Sequence, residues 1–239
     1  MLITPLLFII YERVIVPRSE KSQAREADEI EERSKVIIAG HGRVGGIINR
    51  MLRNAGLNPT VIDYSAGQLD MLRKFGVHVY FGDATRPDLL HSAGIDEARV
   101  FVVAIDDKHQ ITEVVKHVTS HHPHVHVIAR AVDRHHTYEL WAAGCRDIIR
   151  ETFDSSLRMG RSVFEAFGAS RKSAERILEE YVASDRESMI ELADVYDLDI
   201  PAHENDAYVR KARKIMEENE PKLRERILEI MAEEKVPAE

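Results

Sequence analysis

Three glycines with fixed spacing provide the clearest chemical signal in the sequence. They lie in the segment GHGRVG, residues 40–45, between an apolar run and an amphipathic segment. Gly40 permits a tight turn, Gly42 lets a phosphate approach the backbone, and Gly45 lets a helix pack closely on a strand. The N–H groups that begin this helix also attract a phosphate. The pattern predicts a nucleotide site with contacts from Gly40, His41, Gly42, Arg43, Val44 and Gly45.

A carboxylate and two turns extend this predicted site. Asp63 ends the apolar run TVID about 20 residues after the glycines, where it can accept hydrogen bonds from a ribose. This position favours a ribose without a 2′-phosphate, and Arg43 leaves the phosphorylated ribose as the alternative. The segments GDAT and AIDD follow two further predicted strands, and helix capping is the alternative role for Asp83 and Asp106. The additional predicted contacts are Tyr64, Asp83, Ala84, Thr85, Ala104, Ile105, Asp106 and Arg130.

The titratable residues do not suggest a catalytic arrangement. An oxidoreductase needs a second substrate site and groups that transfer a proton, and the order of residues predicts no Ser-His-Asp or Cys-His arrangement. The twelve histidines include the segment HHPHVH, residues 121–126. No carboxylate or cysteine stands at ligand spacing from this segment, so a solvated loop is favoured over a metal site. We therefore predict neither an enzyme nor a bound metal.

The composition limits the partners of this chain. Its 239 residues carry a formal net charge of −8, which argues against a nucleic-acid partner because such surfaces are basic. The single cysteine, Cys145, excludes a disulfide framework and suits a reducing compartment.

Alternating strands and helices must position the predicted site. Between residues 35 and 151, short apolar runs such as VIIA and VFVV alternate with helix-like segments. Such runs are typical of strands in a parallel sheet that is buried on both faces. The predicted fold class is α/β, a Rossmann-like doubly wound parallel sheet followed by a helical crossover and a helical C-terminal extension.

The two ends of the chain differ in composition from this α/β region. MLITPLLFII is uncharged, and Arg13 and Arg18 follow it, as expected where a helix leaves a membrane on the cytoplasmic side. The alternative is a buried N-terminal strand or helix of a soluble protein. The predicted boundaries are 1–17 for the end of a transmembrane helix, 18–34 for a charged linker, 35–151 for the nucleotide-binding domain, 152–169 for a crossover and dimerisation helix, and 170–239 for a helical C-terminal subdomain.

Several segments together resemble a known family. VIIAGHGRVGG, LRKFGVHVYFGDATRPDLLHSAGI, VVAIDD, HPHVHVIARA and RETFDSSLRMGR are similar to the cytoplasmic KTN/RCK (TrkA-N) regulatory domain of Kef-type glutathione-gated potassium efflux antiporters. The resemblance implies AMP or NAD(H) as the bound nucleotide and a homodimer through a crossover helix at Thr152 to Gly168. It also implies a potassium-transporting membrane domain as a partner, the cytoplasmic face of the inner membrane as the location, and an ancillary quinone-oxidoreductase-like subunit.

The same resemblance implies a glutathione pocket that contains Arg50, Phe75 and Arg150. Guanidinium groups bind carboxylates through paired hydrogen bonds, and a surface or interface ion pair is the alternative role for these arginines. Asp185 stands where the family has an asparagine, and its charge would repel a glutathione carboxylate. Alternatives for the whole function are a free-standing Trk-type regulatory subunit of potassium uptake and a small NAD-dependent oxidoreductase.

Overall fold

The computed structural model describes residues 34–65, 72 and 79–233. The predicted end of a transmembrane helix lies outside the described residues, as do Phe75 and nearly all of the predicted linker. Within the described ranges, no helix combines the length and the apolar character that a membrane span requires.

Strands and helices alternate along the described chain. The strands are β1 (Val36–Ala39), β2 (Thr60–Asp63), β3 (Tyr80–Phe81), β4 (Val100–Val103), β5 (His126–Ala131) and β6 (Asp147–Arg150). The α-helices are α1 (Arg43–Asn54), α2 (Pro87–Ser92), α3 (Lys108–His121), α4 (Arg134–Ala142), α5 (Phe153–Ala166), α6 (Arg171–Ala193) and α7 (Asp206–Glu233). A short 3-10 helix, Ile95–Glu97, lies between α2 and β4.

The strands form one parallel sheet in the order β3-β2-β1-β4-β5-β6. In the central strand, Ile38 pairs with Val61 of β2 on one side and with Val102 of β4 on the other. The chain progresses from β1 toward β3 in one direction and from β4 toward β6 in the other, so the order reverses between β1 and β4. Sheets of this kind bind ligands at the carboxyl ends of the strands beside such a reversal. The predicted Rossmann-like α/β fold is confirmed.

Helix α1 is held on the sheet by regularly spaced apolar residues. Val44, Ile48 and Leu52 recur at every fourth position, which places them on one face of the helix. They pack against a buried cluster that includes Ile38 and Val102. This packing fixes the start of α1 beside the end of β1, where the glycine segment lies.

The chain divides into two compact units. The first contains the described residues up to Arg130 together with Ala143–Asp147, and the second contains Ala131–Ala142 and the described residues from Ile148 onward. The predicted domain boundaries at residues 35, 152 and 170 stay predictions.

The second unit has its own core and one helix with an exposed apolar face. Tyr138, Leu192, Tyr208 and Ile215 form a buried cluster. Helix α5, which corresponds to the predicted crossover helix, contains no buried residue. Apolar side chains on and just after α5 are strongly exposed, namely Met159 (71%), Val163 (54%) and Phe167 (84%).

Candidate functional site

The glycine segment makes a tight connection between β1 and α1. Gly40 has a φ of +94°, and a Cβ there would lie 2.8 Å from the Ala104 carbonyl oxygen. A Cβ on Gly45 would overlap the carbonyl oxygen of Gly40. A Cβ on Gly42 would meet only the Asp106 carboxylate, at 3.9 Å. The fold itself therefore requires glycine at positions 40 and 45, whereas the space beside Gly42 is open to a ligand.

Asp63 fixes the loops at the end of β2. Its Oδ2 accepts a hydrogen bond from the His41 N–H at 2.7 Å, and its Oδ1 accepts one from the Ser65 N–H at 2.7 Å. The carboxylate is therefore held in position next to the glycine segment. Each oxygen retains a lone pair that a ribose hydroxyl can use.

Asp83 organises the turn that follows β3. Its Oδ1 accepts hydrogen bonds from the Thr85 N–H at 2.9 Å and from the Thr85 hydroxyl at 2.8 Å. The alternative role of Asp83 as a helix cap is wrong, because Arg86 occupies the N-cap position of α2. Ala84, between these two residues, is buried.

Asp106 and Arg130 form an ion pair at the ends of β4 and β5. Arg130 Nη1 donates to Asp106 Oδ1 at 2.6 Å, and the arginine side chain is only 7% exposed whereas that of Asp106 is 70% exposed. The neighbouring Asp107 caps α3 by accepting a hydrogen bond from the Gln110 N–H at 2.9 Å. The capping role considered for Asp106 is therefore wrong, because Asp107 caps the helix and the Asp106 carboxylate pairs with Arg130 instead.

These groups surround one cavity of about 240 Å3 at the carboxyl edge of the sheet. The predicted contacts that line it are Gly40, Gly42, Asp63, Tyr64, Asp83, Ala84, Ala104, Ile105 and Asp106. Ile62, Ser65, Gly82 and Gln110 line it as well and were missed by the sequence prediction. Ser65 could have been found from its position two residues after Asp63, and Gln110 from its place in the first turn of α3.

The other predicted nucleotide contacts lie behind or beside this cavity. His41 is buried, its Nε2 lies 3.2 Å from the Asn49 amide nitrogen, and burial lowers its pKa. Val44 packs into the core, and Gly45 is buried in the first turns of α1. Arg43 lines a different cavity, which follows α1.

The cavity along α1 is rich in arginine. It has a volume of about 610 Å3, and Arg43, Arg50 and Arg53 line it together with Asn49 and Asn54. No acidic residue is among the described residues that line it. The lining is therefore suited to an anionic group.

Arg150 and Asp185 are paired within the second unit. Arg150 Nη2 donates to Asp185 Oδ2 at 2.5 Å, and Arg134 Nη2 donates to Asp185 Oδ1 at 3.2 Å. The Arg150 guanidinium also lies 3.5 Å from the centre of the Phe153 ring, which is a cation–π distance. The ion-pair alternative for Arg150 is thus observed, with Asp185 as its partner.

The histidine-rich segment departs from the predicted solvated loop at His122, whereas His121, His124 and His126 are exposed. His122 is 4% exposed and follows α3 directly, so the prediction is wrong for this residue. Among the residues that the structure describes, no group of three or more His, Cys, Asp or Glu side chains is placed to hold a metal ion.

Comparisons with known proteins show which family has this arrangement. The TrkA-N domain family matches residues 36–151, and the family of the potassium efflux system KefB C-terminal domain matches residues 155–234. The glutathione-regulated potassium-efflux system protein KefC of Klebsiella pneumoniae is 45% identical over 166 residues, and that of Escherichia fergusonii is 47% identical over 169 residues. Each match covers 69% of this chain and 26% of the relative, so the chain spans about a quarter of the KefC length.

Solved structures agree with these matches. A structure of the Shewanella denitrificans Kef CTD in AMP-bound form is 36% identical with a TM-score of 0.62, and the match covers 68% of this chain and 99% of that one. The TrkA-N domain of the inner membrane protein ybaL from Escherichia coli has a TM-score of 0.50 at 22% identity, with 54% of this chain and 96% of that chain covered, and shows the fold alone. The chain therefore belongs to the KTN/RCK regulatory domains of Kef-type potassium efflux systems, and it is not an enzyme, in contrast to the oxidoreductase alternative.

Proposed function

We propose that this chain senses a nucleotide and passes the signal to a membrane transport domain that exchanges potassium for protons. The observation that carries the proposal is the cavity at the carboxyl edge of the sheet. Gly42, Asp63, Asp83 and Asp106 contribute to its lining from four successive loops. Sheets of this topology bind nucleotides at this edge.

AMP is the nucleotide that we favour over NAD(H). The cavity volume of about 240 Å3 suits one nucleotide better than two. The related Kef domain from Shewanella denitrificans was solved with AMP. In this proposal the phosphate lies at the N–H groups before α1 and the ribose hydroxyls donate to Asp63. The base then lies against the apolar surface of Ala84 and Ile105.

Calorimetric titration of AMP with a glycine variant tests this proposal. Gly42→Ala adds a methyl group where the structure leaves space but where the phosphate must approach. We expect this variant to bind AMP at least about tenfold more weakly, a loss of about 1.4 kcal/mol, with unchanged thermal stability.

The matched control is Gly46→Ala, on the next turn of α1, whose Cβ would lie 3.4 Å from the His41 side chain. It should bind AMP like the unmodified chain. Equal affinity in the unmodified chain and in Gly42→Ala would contradict the proposed phosphate position.

The same family membership supports a proposal for the assembly. We propose that the chain lies at the cytoplasmic face of the inner membrane, next to the transport domain that its KefC relatives contain. The exposed apolar face of α5, with Met159, Val163 and Phe167, supports a homodimer through this helix. An ancillary quinone-oxidoreductase-like subunit is a further proposed partner.

Glutathione is the second ligand that the family resemblance implies for this chain. The resemblance implies a glutathione pocket that contains Arg50, Phe75 and Arg150, with the two arginines as the groups that bind carboxylates. Arg150 is already paired with Asp185, which also binds Arg134. We propose that Asp185 occupies the position that a ligand carboxylate would need, so that this chain binds glutathione weakly.

A further inference from the structure

Five histidines and one aspartate lie close together at the amino-terminal edge of the sheet. Asp96 lies on the 3-10 helix before β4, and His122 and His124 lie before β5. The candidate nucleotide cavity is at the opposite, carboxyl ends of these strands. We name the group the histidine cluster, and its members are His91, Asp96, His117, His121, His122 and His124.

Asp96 contacts three of these imidazoles and accepts hydrogen bonds from two of them, His91 and His124. His91 Nδ1 donates to its Oδ2 at 2.8 Å, and His122 Nδ1 lies 3.3 Å from its Oδ1. His124 Nε2 donates to its backbone carbonyl oxygen at 3.0 Å. The cluster therefore contains five imidazole rings and one carboxylate, which can compensate about one positive charge.

The rings are close enough for their charges to repel one another. His117 stacks on His121 with ring centres 4.4 Å apart. His122 has ring centres 5.4 Å from His91, 6.1 Å from His117 and 6.2 Å from His124. Like charges at these distances disfavour the protonated forms.

Two imidazoles of the cluster, those of His117 and His122, lie in surroundings that favour the neutral form. The His122 side chain is only 6% exposed. His117 Nε2 is buried, and no described residue gives it a hydrogen-bond partner. Burial is the main cause that lowers the pKa of both imidazoles, with neighbouring histidines adding to the effect and Asp96 opposing it at His122. The hydrogen bond from His91 lowers the pKa of Asp96, which keeps the carboxylate charged.

We propose that the histidine cluster is an acid-responsive element that loosens the junction between α3 and β5 when its imidazoles are protonated. His117 and His121 end α3, and His122 and His124 occupy the connection to β5. Repulsion among the protonated rings would separate the end of α3 from α2 and the 3-10 helix. The proposal depends on neither the identity of the nucleotide nor that of the transported ion.

The direction of the effect follows from the lowered pKa values. His117 and His122 have folded-state pKa values below the ordinary histidine value of 6.5. Above pH 6.5 both residues are mostly neutral in the folded and in the unfolded chain, so the fold keeps its full stability. This stability is lost as the pH falls below about 6.5, because the unfolded state then binds more protons.

Hydrogen exchange of the full chain at pH 7.5 and pH 5.5 tests the proposal. After correction for intrinsic rates, protection across 117–127 should fall by a larger factor than protection in β1 on acidification. The double variant His117→Asn/His122→Asn should lose most of this difference. Equal acid sensitivity of the variant and the unmodified chain would overturn the proposal.

A second variant keeps the test informative if the first variant does not fold. His91→Gln/His124→Gln removes two exposed members of the cluster, and we expect it to reduce the acid-dependent loss of protection. An unchanged loss in this variant also overturns the proposal. The control is His109→Gln, an exposed histidine at the start of α3, which should behave like the unmodified chain.

Discussion

Within the glycine segment, Gly45 is the position with the least space for a side chain. A Cβ at this position would overlap the Gly40 carbonyl oxygen, so the close contact between α1 and β1 would have to open. We expect Gly45→Ala to lower the free energy of unfolding by about 1–3 kcal/mol, the usual cost of overpacking. Urea denaturation measures this change, with Gly46→Ala as the control on the same helix. A Gly45→Ala variant as stable as the control would contradict the packing argument.

Asp185 is the residue that sets the proposed response to glutathione. Asp185→Asn removes the negative charge between Arg134 and Arg150 and keeps an acceptor oxygen for one of them. We expect glutathione to bind this variant about tenfold more tightly, which corresponds to about 1.4 kcal/mol. Calorimetric titration measures the affinity, and Asp154→Asn, an exposed change on α5, is the control. If removal of the Asp185 charge leaves the affinity unchanged, Asp185 does not compete with the ligand.

Part of the candidate site was predictable because some of its residues form recognisable patterns in the sequence. Gly40 and Asp63 were identified because a glycine turn and a carboxylate at the end of the next strand leave a pattern in the sequence. The capping role of Asp107, rather than Asp106, was not predictable because both neighbours have the same chemistry. Only the geometry shows that Asp106 instead pairs with Arg130.

At the scale of elements, the exposed face of α5 has a consequence for assembly. We expect Val163→Glu to convert the proposed homodimer into a monomer, because a charge would replace an apolar contact at the centre of the face. Sedimentation equilibrium measures the mass. The control is Leu228→Glu on α7, since Leu228 and Val163 are both 54% exposed. Dissociation in both variants or in neither would argue against an interface through α5.

The elements themselves were predictable to different degrees. The buried strands β1 and β4 follow from their uninterrupted apolar runs, and α3 follows from its apolar period. In the segment after α3, His122 was misjudged because the neighbouring histidines and Pro123, which are exposed, are typical of a solvated loop. The burial of His122 depends on its contacts with His91 and Asp96, which are distant in sequence and leave no periodic signal.

For the molecule as a whole, the proposed nucleotide should stabilise the fold. A ligand that binds only the folded chain raises the free energy of unfolding by about 2.7 kcal/mol at a concentration 100 times its dissociation constant. We expect AMP to produce this increase in urea denaturation and Gly42→Ala to require a higher concentration for the same increase. No stabilisation by AMP at saturating concentration would contradict binding to the folded first unit.

Amide NMR shifts during an AMP titration locate the bound nucleotide, which we propose to lie at the carboxyl edge of the sheet. We expect the largest shifts at residues 40–46, 63–65, 83–85 and 104–107, which form or adjoin the 240 Å3 cavity. Amides of the helical second unit should shift little. Shifts centred on the arginine-lined cavity beside Arg50 and Arg53, or on α6 and α7, would contradict nucleotide binding at this edge.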